Sequence, residues 1–203
     1  MAIEKKREYE SYEEYKTHQM KKTSRKGLRA KLKRRFNRRV KVFQKRFSFL
    51  KKKGYFLEGQ KVICLGSRMG EEVQAFKNFE LDAIGVDLIP RLPLVIEADF
   101  NHLPFEDNTF DLVHSNSFDH AFDANLFFES VERVLKVGGH LVLDVFPKEG
   151  GNFEVTYIED AADVKELLCK DFAFEFVEQF VPKPHLYSSL GCNPELVFRR
   201  GEK

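Results

Sequence analysis

The sequence runs to 203 residues, with 34 Lys and Arg against 32 Asp and Glu, a formal net charge of +2. That length suits one α/β domain with an extension; no stretch is apolar for the length a membrane-spanning helix needs and the N-terminal residues show no apolar signal core, so a soluble cytoplasmic protein is expected. The near-neutral total hides a division: residues 1–53 hold 21 Lys and Arg against 5 acids (net +16), and residues 54–203 hold 13 against 27 (net −14).

Residues 1–22 are charged, and Tyr9, Tyr12 and Tyr15 recur every three positions. In a helix that spacing puts the three rings on one face. A frayed and solvated terminus fits the composition equally well. From Leu28 to Leu50 the pattern sharpens, with Leu28, Leu32, Phe36, Val40, Phe43, Phe47 and Leu50 at steps of four and three. Lys31, Lys33, Arg34, Arg35, Arg38, Arg39, Lys41, Lys45 and Arg46 fill the spaces between them. The expectation is an amphipathic helix that docks its apolar stripe on the acidic part of the chain. So many like charges repel one another, which calls for an anionic partner. RNA or a ribonucleoprotein contacted through residues 23–53 fits better than an anionic membrane. Lys51-Lys-Lys-Gly54 closes the helix. Residues 1–54 therefore read as a basic, largely helical arm and residues 55–203 as the folded domain.

Val62 to Leu65 reads as a buried strand that enters the turn Gly66-Ser-Arg-Met-Gly70, and a helix opens near Gly70 with Val73 and Phe76 inward. Ala83 to Asp87 is a second short strand that stops at an acid. Leu88-Ile-Pro-Arg-Leu-Pro93 is too short for a crossover helix, and its prolines forbid one. Leu94 to Ala98 is the third strand, followed by Asp99. The turn Asp107-Asn-Thr precedes the fourth strand, Phe110 to His114, whose carboxyl end runs into the loop Ser115–Asp123. Asp123 is placed to cap a helix with Phe127, Val131, Val134 and Leu135 inward, ended by Gly138-Gly139. His140 to Val145 is the fifth strand, residues 147–159 a loop, and Asp160 or Asp163 the start of a helix burying Val164, Leu167 and Leu168. Phe172 to Val181 and Glu195 to Arg200 complete the sheet, joined by the long loop Pro182–Pro194.

A glycine turn between strand and helix lets backbone approach a ligand, and an acid ending the next strand is placed for ribose hydroxyls. Together with Leu103-Pro-Phe-Glu-Asp-Asn-Thr-Phe-Asp-Leu-Val-His-Ser115, these motifs follow one another in order over about ninety residues. Residues 60–145 thereby resemble a class I S-adenosylmethionine-dependent methyltransferase of the type 11-like kind. The resemblance implies a Rossmann-like, doubly wound, seven-stranded and mostly parallel sheet with its last strand antiparallel, and S-adenosyl-L-methionine as cofactor. Carried over by position, it implies that Gly66, Ser67, Arg68 and Gly70 wrap the methionine part and that Asp87, with Leu88, holds the ribose. It also implies that Asp99 and Phe100 contact the adenine and that Ser115 borders the cofactor. Three features depart from the family: Cys64 stands where an acid is frequent, Arg68 replaces the middle glycine, and the helix between the second and third strands is missing.

Methyl transfer from a sulfonium mainly asks the protein to align donor and acceptor. A base is needed only when the acceptor begins protonated. The candidates are His114, Asp119, His120 and His185; His120 and its neighbour Asp119 are preferred because they follow the fourth strand. The fourth-strand loop reads Asn116-Ser-Phe118 and lacks the Pro-Pro-aromatic signature of amino-methylating nucleic-acid enzymes, which counts against adenine N6 chemistry. Glu71-Glu72 and Glu106-Asp107 fall at a helix start and a turn, where structural roles are expected. No metal site is expected, and Cys64, Cys169 and Cys192 read as reduced thiols. The expected function is methyl transfer to a small-molecule or RNA acceptor that enters between the Ser115–Asp123 and Pro182–Pro194 loops, with His120 and Tyr187 on one edge. The alternative is a catalytically inactive methyltransferase-fold protein serving as an RNA- or ribonucleoprotein-binding or assembly module, the reading that Arg68 favours.

Overall fold

Successive side chains along Lys61–Leu65 alternate between two faces, and Val62, Ile63, Cys64 and Leu65 are all buried. A strand with both faces covered belongs at the centre of a parallel sheet. The computed structural model describes residues 3–24, 27–148, 151–181 and 193–202. In chain order its elements are β1 (Ile3–Lys5), α1 (Tyr12–Ser24), α2 (Leu28–Lys53), β2 (Lys61–Leu65), α3 (Glu71–Lys77), β3 (Asp82–Asp87), β4 (Val95–Glu97) and β5 (Phe110–Ser115). A single 3-10 turn at Phe118–His120 leads to α4 (Ala124–Val134), β6 (Leu135–Asp144), β7 (Thr156–Ile158), α5 (Ala161–Asp171), β8 (Phe174–Phe180) and β9 (Glu195–Arg200). Seven strands form one sheet in the order β4-β3-β2-β5-β6-β9-β8, parallel except for β9. This is the doubly wound, seven-stranded, Rossmann-like architecture expected from the sequence. The strand order reverses between β2 and β5, so a crevice opens beyond Leu65 and Ser115.

Helices α2 and α3 cover one face, where Val40, Phe43, Phe47, Leu50, Val73 and Phe76 meet Val62, Cys64, Leu112, Val142 and Val197. The rings of Phe47 and Phe76 stack at 3.9 Å. The stripe of α2 thus docks as its spacing predicts, but two of its arginines do not belong to the solvated cationic face. Arg46 falls on the stripe's own side and is buried, its Nε 2.6 Å from Glu195 Oε1 and its Nη2 2.6 and 2.7 Å from the Asp144 carboxylate. Arg39 reaches inward to Glu71 at 3.0 Å. In both cases an acid from a distant element offsets the cost of desolvating the guanidinium.

The other face carries α4 and α5, whose Phe127, Val131, Val164 and Leu168 pack on Ile63, Leu65, Val113, Leu141 and Leu143. Asp123 caps α4 by accepting from the N–H groups of Asn125 and Leu126. Asp160, rather than Asp163, caps α5, and Asp163 completes the capping box.

Two expectations need correction, and one reading left open is decided. Helix α4 ends at Val134 and not at the glycine pair, because Leu135 pairs with Phe110 and is drawn into the sheet; regular pairing resumes at His140. Residues 147–159 are not wholly a loop: Thr156–Ile158 pairs antiparallel with Ile3–Lys5 in a second small sheet. The N-terminal segment is not frayed, since Tyr9, Tyr12 and Tyr15 gather around Phe122 with ring centroids 5.0–6.4 Å apart and Tyr15 is buried. The chain passes from β3 to β4 without a helix, as expected, through a turn in which Arg91 N–H donates to Val95 O at 2.8 Å. Among the described residues no helix is long and apolar enough to cross a membrane.

Candidate active site

The crevice at the switch point is built from the carboxyl ends of β2, β3 and β4. Gly66, at φ +70°, leaves β2 so close to the next strand's loop that a Cβ there would stand 2.6 Å from Ser117 Cβ. No other residue fits that approach. Beyond it, Asp87 ends β3 with both carboxylate oxygens engaged: Arg68 N–H donates to Oδ2 and Ile89 N–H to Oδ1, each at 3.0 Å. Burial raises the Asp87 pKa, and the two N–H donors work against that rise. Asp99 accepts from Asn101 N–H at 2.9 Å and from its side-chain amide at 2.8 Å, while the Tyr12 hydroxyl donates to Oδ2. Tyr15, Gln19, Met20 and Lys22 of α1 close the cleft and reduce it to about 60 Å³, room for only a few waters. Any larger ligand requires these side chains to swing aside.

A second chamber of about 320 Å³ adjoins the cleft, lined by Arg39, Glu71, Glu72, Asn116, Asp119 and Glu154 among others. Gly66, Arg68, Ser117, His120 and Lys22 line both spaces and so mark their junction. His120 is held there by a 2.8 Å contact between Nδ1 and the Phe153 carbonyl. A carbonyl only accepts, so Nδ1 carries the proton and Nε2 presents a lone pair. That lone pair meets Lys22 Nζ at 2.5 Å. Burial lowers the Lys22 pKa to about 8, with Arg68 adding to the effect and Asp119 and Glu154 opposing it. Burial also lowers His120, against the pull of Asp119, and raises Asp119 itself. Glu72 is raised by burial and by the charge of Glu71 beside it. Glu154 is held below the ordinary carboxylate value despite burial, first by backbone N–H donation and then by His120 and Lys22.

Of the residues expected to hold a cofactor, Gly66, Arg68, Asp87, Leu88, Asp99 and Phe100 come together around the cleft. Ser67 borders the second chamber and turns its hydroxyl to Cys64 O at 2.7 Å. Gly70 and Ser115 line neither space. Gly70 precedes α3 against Leu94, and Ser115 is buried beneath the loop, its hydroxyl accepting Ser117 N–H at 3.2 Å. Arg68 takes the left-handed conformation, at φ +44°, that a glycine would adopt more easily. Asp119 and His120 face the chamber, whereas His114 lies in the core among Phe43, Phe47 and Phe76. His185 and Tyr187 lie outside the described residues, as does most of the Pro182–Pro194 loop. Sequence reasoning missed Lys22 and Glu154, and it gave Glu71-Glu72 only a structural role although both border the chamber. The tyrosine spacing signalled α1 itself; nothing local distinguishes Glu154.

Residues 63–143 match a family model described as a methyltransferase domain. No curated protein sequence matches the chain at a significant level. Among solved structures, 1,6-didemethyltoxoflavin-N1-methyltransferase of Burkholderia thailandensis is 14% identical with a TM-score of 0.69, covering 98% of this chain and 95% of that one. An S-adenosylmethionine-dependent methyltransferase of Aquifex aeolicus is 16% identical with a TM-score of 0.54, covering 72% and 85%. The [4+2]-cyclase SpnF is 15% identical with a TM-score of 0.58, covering 72% and 76%, so similarity of fold alone does not decide a reaction. Strand order, the Gly66 turn, the acid ending β3 and the matched family model agree with one another: this chain carries a class I methyltransferase domain.

Proposed function

We propose that the protein is an S-adenosylmethionine-dependent methyltransferase whose acceptor lies in the chamber beside His120. The observation that carries this reading is the junction itself, where a nucleotide-type cleft opens into a second, polar space. The residues present fit the cofactor: Gly66 leaves a cradle that a Cβ would fill, and Asp87 is anchored by two N–H groups with acceptor capacity left for ribose hydroxyls. Asp99 and Phe100 stand ready for the adenine end. When bound, the cofactor supplies a methyl group on a positively charged sulfur. The chain's own contribution is alignment and the exclusion of water beneath α1. His120 Nε2, with its lone pair facing the junction, serves as the base when an acceptor begins protonated.

A chamber of about 320 Å³ suits a small molecule or one nucleotide-sized group. The Burkholderia enzyme holds a small-molecule acceptor together with S-adenosylhomocysteine, which favours the former. The exposed cationic face of α2 supports a contact with RNA or a ribonucleoprotein, and the reduced thiols suit a cytoplasmic setting. The strained Arg68 at the junction supports the second reading, an inactive binding or assembly module. Calorimetric titration with S-adenosylmethionine decides between the two. Asp87→Ala should weaken binding by about 1–3 kcal/mol, roughly 5- to 150-fold in Kd. A flat trace for the wild-type protein would overturn the enzyme reading and leave the module.

A further inference from the structure

We propose that Asp119, His120 and Glu154 form a cup for the amine nitrogen of the acceptor, and that Lys22, whose nitrogen rests on His120 at the edge of the cup, is an internal stand-in for the substrate there. The inference rests on the methyltransferase reading for the fate of that nitrogen, though not for its binding. The ligating atoms of the three residues all lie within 4.8 Å of one another. Lys22 Nζ comes to the edge of this cup from α1, where it contacts His120 Nε2 and leaves the two carboxylates open to an entering amine. Asp119 is more than nine-tenths buried, and its Oδ1, like Glu154 Oε2, has no hydrogen-bond partner among the described residues. Buried carboxylate oxygens without donors are costly, so this cup is built to receive N–H groups.

Its location is as informative as its composition. Lys22 borders both the cofactor cleft and the chamber, so its nitrogen stands at the junction where donor and acceptor must meet. The fixed tautomer of His120 completes the chemistry, because Nε2 can take a proton from an ammonium but cannot donate one. An acceptor amine entering this place gives one proton to His120 Nε2 and forms one bond to the methyl carbon. The electron pair of the broken carbon–sulfur bond stays on the donor's sulfur, and charge and atoms balance. The same three residues resemble a divalent-metal triad, but the chain already supplies its own cation at the ring nitrogen that a metal would take.

The test replaces the stand-in by a free amine. Lys22→Ala removes three methylenes and the nitrogen, leaving space for n-propylammonium. Calorimetry in the absence of cofactor should find n-propylammonium at least 10-fold tighter on Lys22→Ala than on the wild type. Lys22→Met keeps the stem in place and should show no gain, and Glu154→Gln added to Lys22→Ala should lose it. With S-adenosylmethionine present, Lys22→Ala should release N-methylpropylamine, read by mass spectrometry. Circular dichroism confirms folding, and Lys22→Ser replaces the alanine variant if that one does not fold. Equal affinity of n-propylammonium for folded Lys22→Ala and wild type overturns the proposal. So does one equivalent of Zn²⁺ or Mn²⁺ bound by the wild type and lost in His120→Ala, which would assign a metal centre instead. S-adenosylmethionine binding without the propylammonium gain sinks the cup alone. A gain without S-adenosylmethionine binding keeps the cup and sinks the methyltransferase reading.

Discussion

Replacing Arg46 by Met is the sharpest test of how α2 is held. Arg46 is 2% exposed, and its partners Asp144 and Glu195 are 4% and 0% exposed on β6 and β9. Met fills most of the arginine stem, so the loss is chiefly electrostatic: two acids remain in the core without their cation. Breaking a buried pair in this way costs about 3–5 kcal/mol, against a typical domain stability of roughly 5–15 kcal/mol. Burial already raises the Glu195 pKa, and Arg46 is what opposes that rise. Without Arg46 this folded-state carboxyl rises still further above its unfolded value. Its contribution to stability is then present at low pH and lost as pH rises, so the deficit should shrink between pH 7 and pH 5. Urea unfolding followed by far-UV circular dichroism reads both quantities, provided the m-value is unchanged. Adding Asp144→Asn and Glu195→Gln should recover most of the loss, since the cost lies in unpaired charge. A single-variant cost below about 1 kcal/mol at pH 7 would refute the reasoning, as would a triple variant no more stable than the single one.

Two further outcomes follow from the buried histidine and from the exposed cations of α2. His114 is buried with both ring nitrogens lacking hydrogen-bond partners among the described residues, and burial lowers its pKa to about 4, with Asp144 opposing and Arg46 assisting. Between pH 6.5 and 4 the unfolded chain takes a proton that the folded one refuses, so acidification should remove about 3 kcal/mol of stability through this residue; His114→Phe should flatten that slope, and an unchanged slope in urea titrations would count against it. Charge reversal at the exposed Arg34, Arg35, Arg38 and Lys41 should abolish binding to a labelled RNA oligomer and its steep salt dependence, with anionic vesicles as the comparison at matched salt and S-adenosylmethionine affinity unaffected. Arg39 is omitted because it faces Glu71. Wild-type RNA affinity with the same salt slope in that variant would reduce the cationic face to a solvated surface.

What could be read from the sequence is what neighbouring residues enforce on one another. The apolar run Val62 to Leu65, the stripe of α2 at steps of three and four, and the Asp123 cap of α4 all act within a few residues, and the structure keeps each of them. The Gly66 turn and the acid ending β3 are equally local, so the cleft was legible in outline. What only the tertiary structure decided are pairings between residues far apart in the chain. Tyr12 meets Asp99 across 87 positions and Lys22 meets His120 across 98, and these contacts turn an ambiguous terminus into the helix that covers the cleft. Arg46 reads as one more surface cation because composition averages over a face; partners 98 and 149 positions away bury it. The chamber has the same origin, since Glu71, Asp119 and Glu154 converge on it from three separate segments. A local pattern records which face of an element is apolar, because the element's own geometry sets that period. It does not record which distant charge will stand opposite, because only the folded sheet brings the two within reach.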